Sequence, residues 1–285
     1  MRCSSLAEEL GEPMIGTVDH RGRWLLVEDR SAWGTEAVND VLGDRFAREA
    51  KARGVRPLLI RRREGDPEAD AVRRVILVDT VAREMAVRTI GDLSEVASYV
   101  LADAPVAEFG AMMTDPIFLV CVNGKRDACF ALRGRALVTA LAQDHAERTW
   151  ECTHLGGHRF AGNLVCLPDG IVYGRVPSAD GPRLADLYVE GRLDPSLLRG
   201  RSAWPAPAQV AEQELRLRLN LDGIGDVSLA TVEADEDRAT VALLTAYGST
   251  HGFELVAERL APPRPTSCRA DEVEEPLHWR VVEVR

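Results

Sequence analysis

The sequence predicts an α/β protein in which two units with the same order of elements, β-α-β-β-β-α, are followed by a small α+β module. Apolar strand-like runs and amphipathic helix-like segments occur twice in that order. A strand–helix–strand unit forms a parallel pair, and closely spaced strands add antiparallel neighbours, so each unit suits a mixed sheet with helices on its faces. The stiff segment Trp204-Pro-Ala-Pro207 marks a boundary. We expect domains at residues 1–112, 113–200 and 201–285.

The first unit is predicted from continuous and alternating apolar runs. Its strands are expected at residues 24–28, 57–60, 74–78 and 84–90. A helix over residues 35–53 places four apolar side chains on one face, namely Val38, Val41, Leu42 and Phe46. Asp92 is expected to cap a short second helix that continues to residue 100.

The second unit repeats this order. Its strands are expected at residues 117–121, 148–152, 163–167 and 170–173. A helix over residues 129–141 should turn Leu132, Ala136, Leu137 and Leu141 inward, and a short helix should follow at residues 183–190.

The last part reads as one helix followed by four strands. The helix is expected at residues 209–219 and the strands at residues 227–232, 238–246, 252–258 and 278–284. The prolines between residues 261 and 268 predict a loop there.

Composition excludes several classes of partner. The net charge of -10 argues against nucleic acid, because nothing would offset phosphate repulsion. No apolar run approaches the roughly 20 residues of a membrane span, and acidic residues interrupt the N-terminal segment where a secretory signal needs an apolar core. Six cysteines are too few for a disulfide scaffold in a chain of 285 residues. We therefore expect a soluble cytoplasmic protein with reduced thiols.

Two closely spaced pairs of soft ligands stand out in the second unit. Cys121 ends a strand and Cys129 opens a helix, while His154 and His158 flank Leu-Gly-Gly. Two successive glycines disfavour a helix and favour a loop in which both imidazoles turn towards one ion. Two thiols with two imidazoles can hold either a structural zinc ion or an iron–sulfur centre with two histidines on one iron. Either cysteine alone would be interpreted as a buried apolar residue.

These segments resemble the sucrase/ferredoxin-like family. The resemblance is carried by Cys121-x₇-Cys129 with Gly-Lys-Arg-Asp inside it, by residues 150–163 (WECTHLGGHRFAGN), and by residues 167–175 (LPDGIVYGR). Residues 24–28, Trp33-Gly34 and Thr266-Ser-Cys268 also match. The family is related to ferredoxins in which a thioredoxin fold carries a [2Fe–2S] cluster. The resemblance implies two tandem thioredoxin-like units, with Cys121 and Cys129 on one iron and His154 and His158 on the other.

The remaining cysteines have less specific interpretations. Some relatives have two adjacent cysteines where this chain has Cys129-Phe130, and Cys152 is the alternative ligand if one of the four is replaced. Cys166 lies within a predicted strand and is expected in the core. Cys3 and Cys268 are remote in sequence, so packing or surface positions are expected for them.

The predicted function is intracellular electron transfer through a Rieske-like [2Fe–2S] cluster, with a reductase and an electron acceptor as unidentified partners. We expect a carrier without enzymatic activity and no sucrase, since no paired carboxylates have a glycosidase context. Two alternatives remain open: a binding module with structural zinc, and a thiol redox protein that uses Cys129 alone, because no C-x-x-C is present. The first unit has no cysteine or histidine at the matching places and is expected only to pack against the second.

Overall fold

The computed structural model describes residues 2–62, 73–96 and 105–285. The helices among them are α1 (Cys3–Glu9), α2 (Ala37–Leu42), α3 (Asp44–Ala52), α4 (Val106–Phe109), α5 (Arg135–Asp144), α6 (Gly181–Val189) and α7 (Ala206–Leu219). The strands are β1 (Arg23–Glu28), β2 (Val55–Arg61), β3 (Arg73–Asp79), β4 (Glu84–Ile90), β5 (Ala111–Met113), β6 (Ile117–Cys121), β7 (Thr149–Cys152), β8 (Leu164–Leu167), β9 (Ile171–Tyr173), β10 (Leu198–Arg201), β11 (Val227–Ala234), β12 (Arg238–Thr245), β13 (Thr250–Arg259), β14 (Arg264–Pro265), β15 (Val273–Glu274) and β16 (Leu277–Val284).

Both predicted units have the same strand pairing. In the first, β1 pairs in parallel with β2 and antiparallel with β3, and β3 pairs antiparallel with β4. In the second, β6 pairs in parallel with β7 and antiparallel with β8, and β8 pairs antiparallel with β9. The mixed α/β class is therefore confirmed.

The two units share one sheet. Strands β2 and β7 pair antiparallel through Ile60 with Cys152 and Arg61 with Glu151. The resulting ten-stranded sheet has the order β10-β9-β8-β6-β7-β2-β1-β3-β4-β5. The outer strands β5 and β10 were not predicted, because β5 has only three residues and β10, with the sequence Leu-Arg-Gly-Arg, has no apolar run. The shared sheet brings the loops of both units to one region.

The helix predicted over residues 35–53 is divided into α2 and α3. Gly43 separates them with φ of +86°, a left-handed backbone angle that ends a right-handed helix. Its predicted apolar face is confirmed, since Val38, Val41, Leu42 and Phe46 pack against the core. In the predicted cap, the Asp92 side chain accepts the backbone N–H of Ser94 at 2.7 Å, but residues 97–100 of that helix lie outside the described residues.

The helix predicted over residues 129–141 begins with a π-helical turn, Phe130–Gly134, before α5. The wider turn shifts the phase of the following residues, so the inward face contains Leu137, Val138 and Leu141. Leu132, which was expected to face inward, is 58% exposed, and Ala136 is also exposed. The prediction is confirmed for Leu137 and Leu141 and was wrong for Leu132 and Ala136, because it assumed a regular period of 3.6 residues across the π-helical turn.

The last part contains α7 and a four-stranded antiparallel sheet of order β11-β12-β13-β16. Helix α7 starts at Ala206, three residues before the prediction, because Pro207 is tolerated in a first helical turn. The expected loop over residues 261–268 contains the two-residue strand β14, which pairs with β15. Proline is compatible with such an edge strand.

Two apolar clusters lie on opposite faces of the large sheet. The first joins the layer of α5 and α6 to α7 and the small sheet, and includes Cys166, as expected. The second includes Trp24, Cys121, Phe130 and Cys152, together with Cys3 from α1. The second cluster forms the floor of the site described below. None of the described helices is long and apolar enough to span a bilayer.

Candidate metal centre

The turn after β6 fixes the position of Cys129. The side-chain oxygen of Asn123 accepts the backbone N–H groups of Lys125 at 3.2 Å and Arg126 at 3.3 Å. Asp127 then accepts the backbone N–H of Cys129 at 2.8 Å through Oδ1. Asn and Asp favour such turns because their short side chains can bond to nearby backbone groups. Cys129 and the Asp127 carboxylate are therefore held together.

Cys129 meets two further thiols, and we call Cys3, Cys129 and Cys268 the thiol triangle. The Sγ atom of Cys129 lies 3.3 Å from that of Cys268 and 3.7 Å from that of Cys3, and the Sγ atoms of Cys3 and Cys268 are 3.5 Å apart. All three cysteines are free, at separations well beyond a disulfide bond of about 2.05 Å. The hydroxyl of Ser4 donates to Cys129 Sγ at 3.3 Å.

Asp127 joins the thiol triangle to the histidines. Its Oδ2 atom accepts the backbone N–H of Cys268 at 2.8 Å and faces Nδ1 of His158 at 3.0 Å, while Cys3 Sγ lies 3.9 Å away. Burial of the carboxyl would raise its pKa, but the hydrogen bonds from His158, Cys268 and Cys129 lower the pKa well below its usual value. Asp127 is therefore ionised although its side chain is fully buried.

The two imidazoles meet as the sequence predicts. His154 Nε2 and His158 Nε2 are 3.3 Å apart, and the rings stand nearly perpendicular at 85°. Gly156 and Gly157 adopt left-handed φ angles of +76° and +67°, which the loop needs in order to turn both rings towards one point. A Cβ atom at Gly157 would also collide with the Arg199 guanidinium.

Hydrogen bonds assign the tautomers of the two rings. The N–H of Gly156 faces His154 Nδ1 at 3.4 Å, so without a metal the neutral ring carries its hydrogen on Nε2, directed at His158 Nε2. His158 then carries its hydrogen on Nδ1 and donates it to Asp127. A carboxylate that holds Nδ1–H leaves Nε2 available as a ligand, the usual arrangement of a metal-binding histidine. Binding of a metal through His154 Nε2 would require the hydrogen on that atom to move to Nδ1. Burial, followed by the charges of His158, Arg56 and Arg126, lowers the pKa of His154 to about 3.

The first unit contributes to the surroundings of His154. The guanidinium of Arg56, on β2, donates to the backbone carbonyl of His154 at 3.3 Å. A cavity of about 270 Å³ opens beside His154, with Arg56, Asn123 and Arg126 in its wall. The first unit therefore does more than pack against the second, which sequence reasoning did not predict.

Cys121 and Cys152 lie side by side in β6 and β7. Cys121 is fully buried, and burial raises the pKa of its thiol to about 12 despite the backbone amides of Leu155 and Asn123 that face it. Among the described residues, the group whose ligand atoms all lie within 4.8 Å of one another contains Cys3, Asp127, Cys129 and Cys268 and does not include Cys121. The structure thus brings Cys129 next to two thiols that were expected in packing or surface positions.

Sequence signals for the two additional thiols were weak. Cys268 belongs to Thr266-Ser-Cys268, a segment that contributes to the family resemblance, and this could have suggested a role. Cys3 opens α1, a helix that was not predicted. Neither spacing indicates a contact with Cys129, because 125 and 138 residues separate them from it.

Comparison with protein-family models identifies the family of this chain. Residues 14–200 match the family model described as sucrase/ferredoxin-like. The chain belongs to the sucrase/ferredoxin-like family. The matched segment contains Cys121, Cys129, His154 and His158, whereas Cys3 and Cys268 lie outside it.

One curated protein is similar to a short part of the chain. The chain is similar to altered inheritance of mitochondria protein 32 of Meyerozyma guilliermondii, with 32% identity over 88 residues. That alignment covers 27% of this chain and 31% of the relative, so the chain spans about a third of the relative's length. No solved structure matches the chain.

The donor set of this family member fits a metal centre of the kind that a ferredoxin-like name implies. Two imidazoles on one tetrahedral ion place their nitrogens about 3.4 Å apart, given metal–nitrogen bonds of about 2.1 Å. The observed separation is 3.3 Å. Two thiolates on one ion lie about 3.8 Å apart, given bonds of about 2.3 Å, and the sulfur atoms of the thiol triangle are 3.3–3.7 Å apart.

Proposed function

We propose that this chain is an electron-transfer protein that carries a [2Fe–2S] cluster, bound by thiolates and imidazoles around Asp127. The observation that carries the proposal is the approach of the thiol triangle, through Cys3, and of the histidine pair, through His158, to the same oxygen of one buried carboxylate, Asp127 Oδ2. The family supports it. The repeated strand pairing supports two tandem thioredoxin-like units, of which the second holds the centre.

When bound, the cluster accepts and releases one electron at a time. Cys129 supplies a thiolate, and the imidazoles of His154 and His158 supply neutral ligands. Neutral ligands lower the negative charge around the centre, so they raise its reduction potential relative to four thiolates. Asp127 fixes the ring of His158 and holds its outer proton. The cavity beside His154 gives that ring access to solvent, which allows proton uptake to accompany reduction.

The partners of such a carrier are a reductase and an electron acceptor. A net charge of -10 favours partners with basic surfaces rather than nucleic acid. Free thiols at every described cysteine suit a reducing compartment such as the cytoplasm.

The test is purification under anaerobic conditions, followed by an absorption spectrum and assays of iron and acid-labile sulfide. The proposal expects a red-brown protein with iron and sulfide in equal amounts. A colourless protein without sulfide would refute it.

One observation favours a second candidate, a structural zinc site. The sulfur atoms of the thiol triangle all lie within 3.7 Å of one another, and a carboxylate oxygen of Asp127 belongs to the same group. A single ion about 2.3 Å from each sulfur fits above such a triangle. One equivalent of tightly bound zinc in the colourless protein would support this candidate.

A further inference from the structure

Buried ion pairs hold the N-terminal segment and the C-terminal loop next to Cys129. Glu12, whose side chain is 1% exposed, pairs with Arg264 at 3.0 Å and with Arg159 at 2.9 Å. Glu12 follows α1, Arg264 precedes Cys268 by four residues, and Arg159 directly follows His158. One carboxylate thus ties the N-terminal segment, the C-terminal loop and the histidine loop together.

Additional contacts fix each end separately. Helix α1 is held by the ion pair of Glu8 with Arg133 and by Arg175, which donates to the carbonyl of Ala7 at 3.1 Å. The C-terminal loop is held where the backbone N–H of Cys268 donates to Asp127 at 2.8 Å. These contacts place Cys3 and Cys268 beside Cys129 without requiring any contact between the sulfur atoms.

We propose that the thiol triangle, rather than Cys121, supplies the thiolate ligands of the metal centre. A [2Fe–2S] cluster that also binds His154 and His158 has room for two thiolates, Cys129 and one of Cys3 and Cys268, whereas a single zinc ion could take all three. The inference rests on the proposed function for the identity of the metal, but it applies equally to a zinc ion. Three adjacent thiols form a soft donor set that suits iron or zinc. Two thiolates on one ion must lie within about 3.8 Å of each other. Each sulfur pair of the triangle meets this limit. Among the described residues, the group around Cys129 whose ligand atoms all lie within 4.8 Å of one another omits Cys121, which argues against Cys121 sharing an ion with Cys129; it also omits His154 and His158, which would bind the other iron.

The inference assigns ligands from outside the segment that matches the family. Cys268 is the exposed member of the triangle, while Cys3 and Cys129 are buried. Cys268 therefore marks the side on which the centre approaches solvent and a redox partner. Loss of the segment that supplies the second thiolate, α1 for Cys3 or the C-terminal loop for Cys268, should release the metal even when the histidine loop is intact.

The experiment compares four single variants of the full-length protein, purified anaerobically: Cys3→Ser, Cys268→Ser, Cys121→Ser and Cys166→Ser. Iron, sulfide and zinc per chain are measured, and circular dichroism confirms that each variant is folded. Cys166→Ser is the matched control, since this buried thiol lies on the opposite face of the sheet. We expect metal content to fall at least about tenfold in Cys3→Ser or Cys268→Ser, or in both, and to match the control in Cys121→Ser.

A second measurement does not depend on variants. The wild-type protein is treated with iodoacetamide before and after removal of the metal by a chelator, and the modified cysteines are mapped by mass spectrometry. Cys268 should be protected at first and modified after chelation.

The outcomes separate the two proposals. Absence of iron and sulfide from the wild type would overturn the [2Fe–2S] proposal alone, because the pattern of zinc loss would still test the ligands. A loss of metal in Cys121→Ser beyond that of the control would overturn the ligand inference. Normal loading in both Cys3→Ser and Cys268→Ser, or rapid modification of Cys268 in the loaded protein, would overturn it as well.

Discussion

Glu212 on α7 is the residue whose replacement should most weaken the attachment of the C-terminal module. Its Oε1 atom accepts from Arg201 of β10 at 2.9 Å and from Arg216, one helical turn later, at 3.0 Å. All three side chains are at most 3% exposed. Removing one partner of a buried charge cluster leaves the other charges uncompensated, which costs about 3–5 kcal/mol. We therefore expect Glu212→Gln to lower the free energy of unfolding by that amount.

The same helix provides a matched control. Glu214 pairs with Arg218 at 2.6 Å with the same spacing of four residues, but their side chains are 36% and 52% exposed. An exposed pair of this kind contributes about 0.3–0.5 kcal/mol. Urea unfolding of both variants at pH 7, followed by circular dichroism, measures the difference. Equal losses in Glu212→Gln and Glu214→Gln would refute the reasoning.

The pH dependence has a definite sign. Burial raises the pKa of Glu212, but Arg201 and Arg216 outweigh it, so the pKa in the folded protein lies below the ordinary value. A carboxylate with a lowered pKa stabilises the fold above its unfolded pKa of about 4.3, and this contribution is lost as the pH falls through the folded pKa. The difference between wild type and Glu212→Gln should be constant from pH 7 to about pH 5 and shrink at lower pH. A difference that grows on acidification would contradict this assignment.

Three further predictions concern the candidate centre. Asp127→Asn should lower the free energy of unfolding of the metal-free protein by about 2–4 kcal/mol, because three hydrogen bonds to a buried carboxylate are weakened. Asp186, whose side chain is 62% exposed and lies 2.9 Å from His145, provides the control Asp186→Asn, for which a loss of less than about 1 kcal/mol is expected in the same urea titration. Gly157→Ala should lower the melting temperature more than Gly248→Ala does. Both glycines have left-handed φ, but a Cβ atom would collide with Arg199 only at Gly157. Equal melting temperatures of the two variants would contradict this steric argument. If His154 and His158 are ligands, protein-film voltammetry should show a midpoint potential that falls as the pH rises above the pKa of the oxidised centre. The expected slope is roughly 59 mV per pH unit for each proton taken up with the electron. A potential independent of pH would count against imidazole ligation.

Local patterns predicted the sheet better than the helices. Each central strand was placed within about two residues, because buried strands of three to seven residues give continuous apolar runs. The helix boundaries and faces depended on single events that periodicity does not detect: the left-handed turn at Gly43 and the π-helical turn at Phe130–Gly134. The π-helical turn directly follows Cys129, and π-helical turns within α-helices are frequently found at functional sites.

The site was predictable only where its residues are close in sequence. His154 and His158 were paired correctly from the two glycines between them, since a tight loop must bring both rings together. The approach of Cys3 and Cys268 to Cys129 depends on the ion pairs of Glu12 with Arg159 and Arg264. These pairs join residues far apart in sequence, so no local sequence pattern indicates them. Asp127 belongs to the Gly-Lys-Arg-Asp segment of the family resemblance. Its contacts with His158 and Cys268, however, were seen only in the structure.

The lack of cysteine and histidine between residues 21 and 120 does not make the first unit a passive partner. Pairing of β2 with β7 places Arg56 against the loop of His154, where the guanidinium donates to the backbone and helps to lower the pKa of the imidazole. A neutral imidazole is the form that binds a metal, so under the proposed function this positive charge would favour the form of His154 that can act as a ligand. The first unit also forms much of the cavity wall through which solvent reaches the ring.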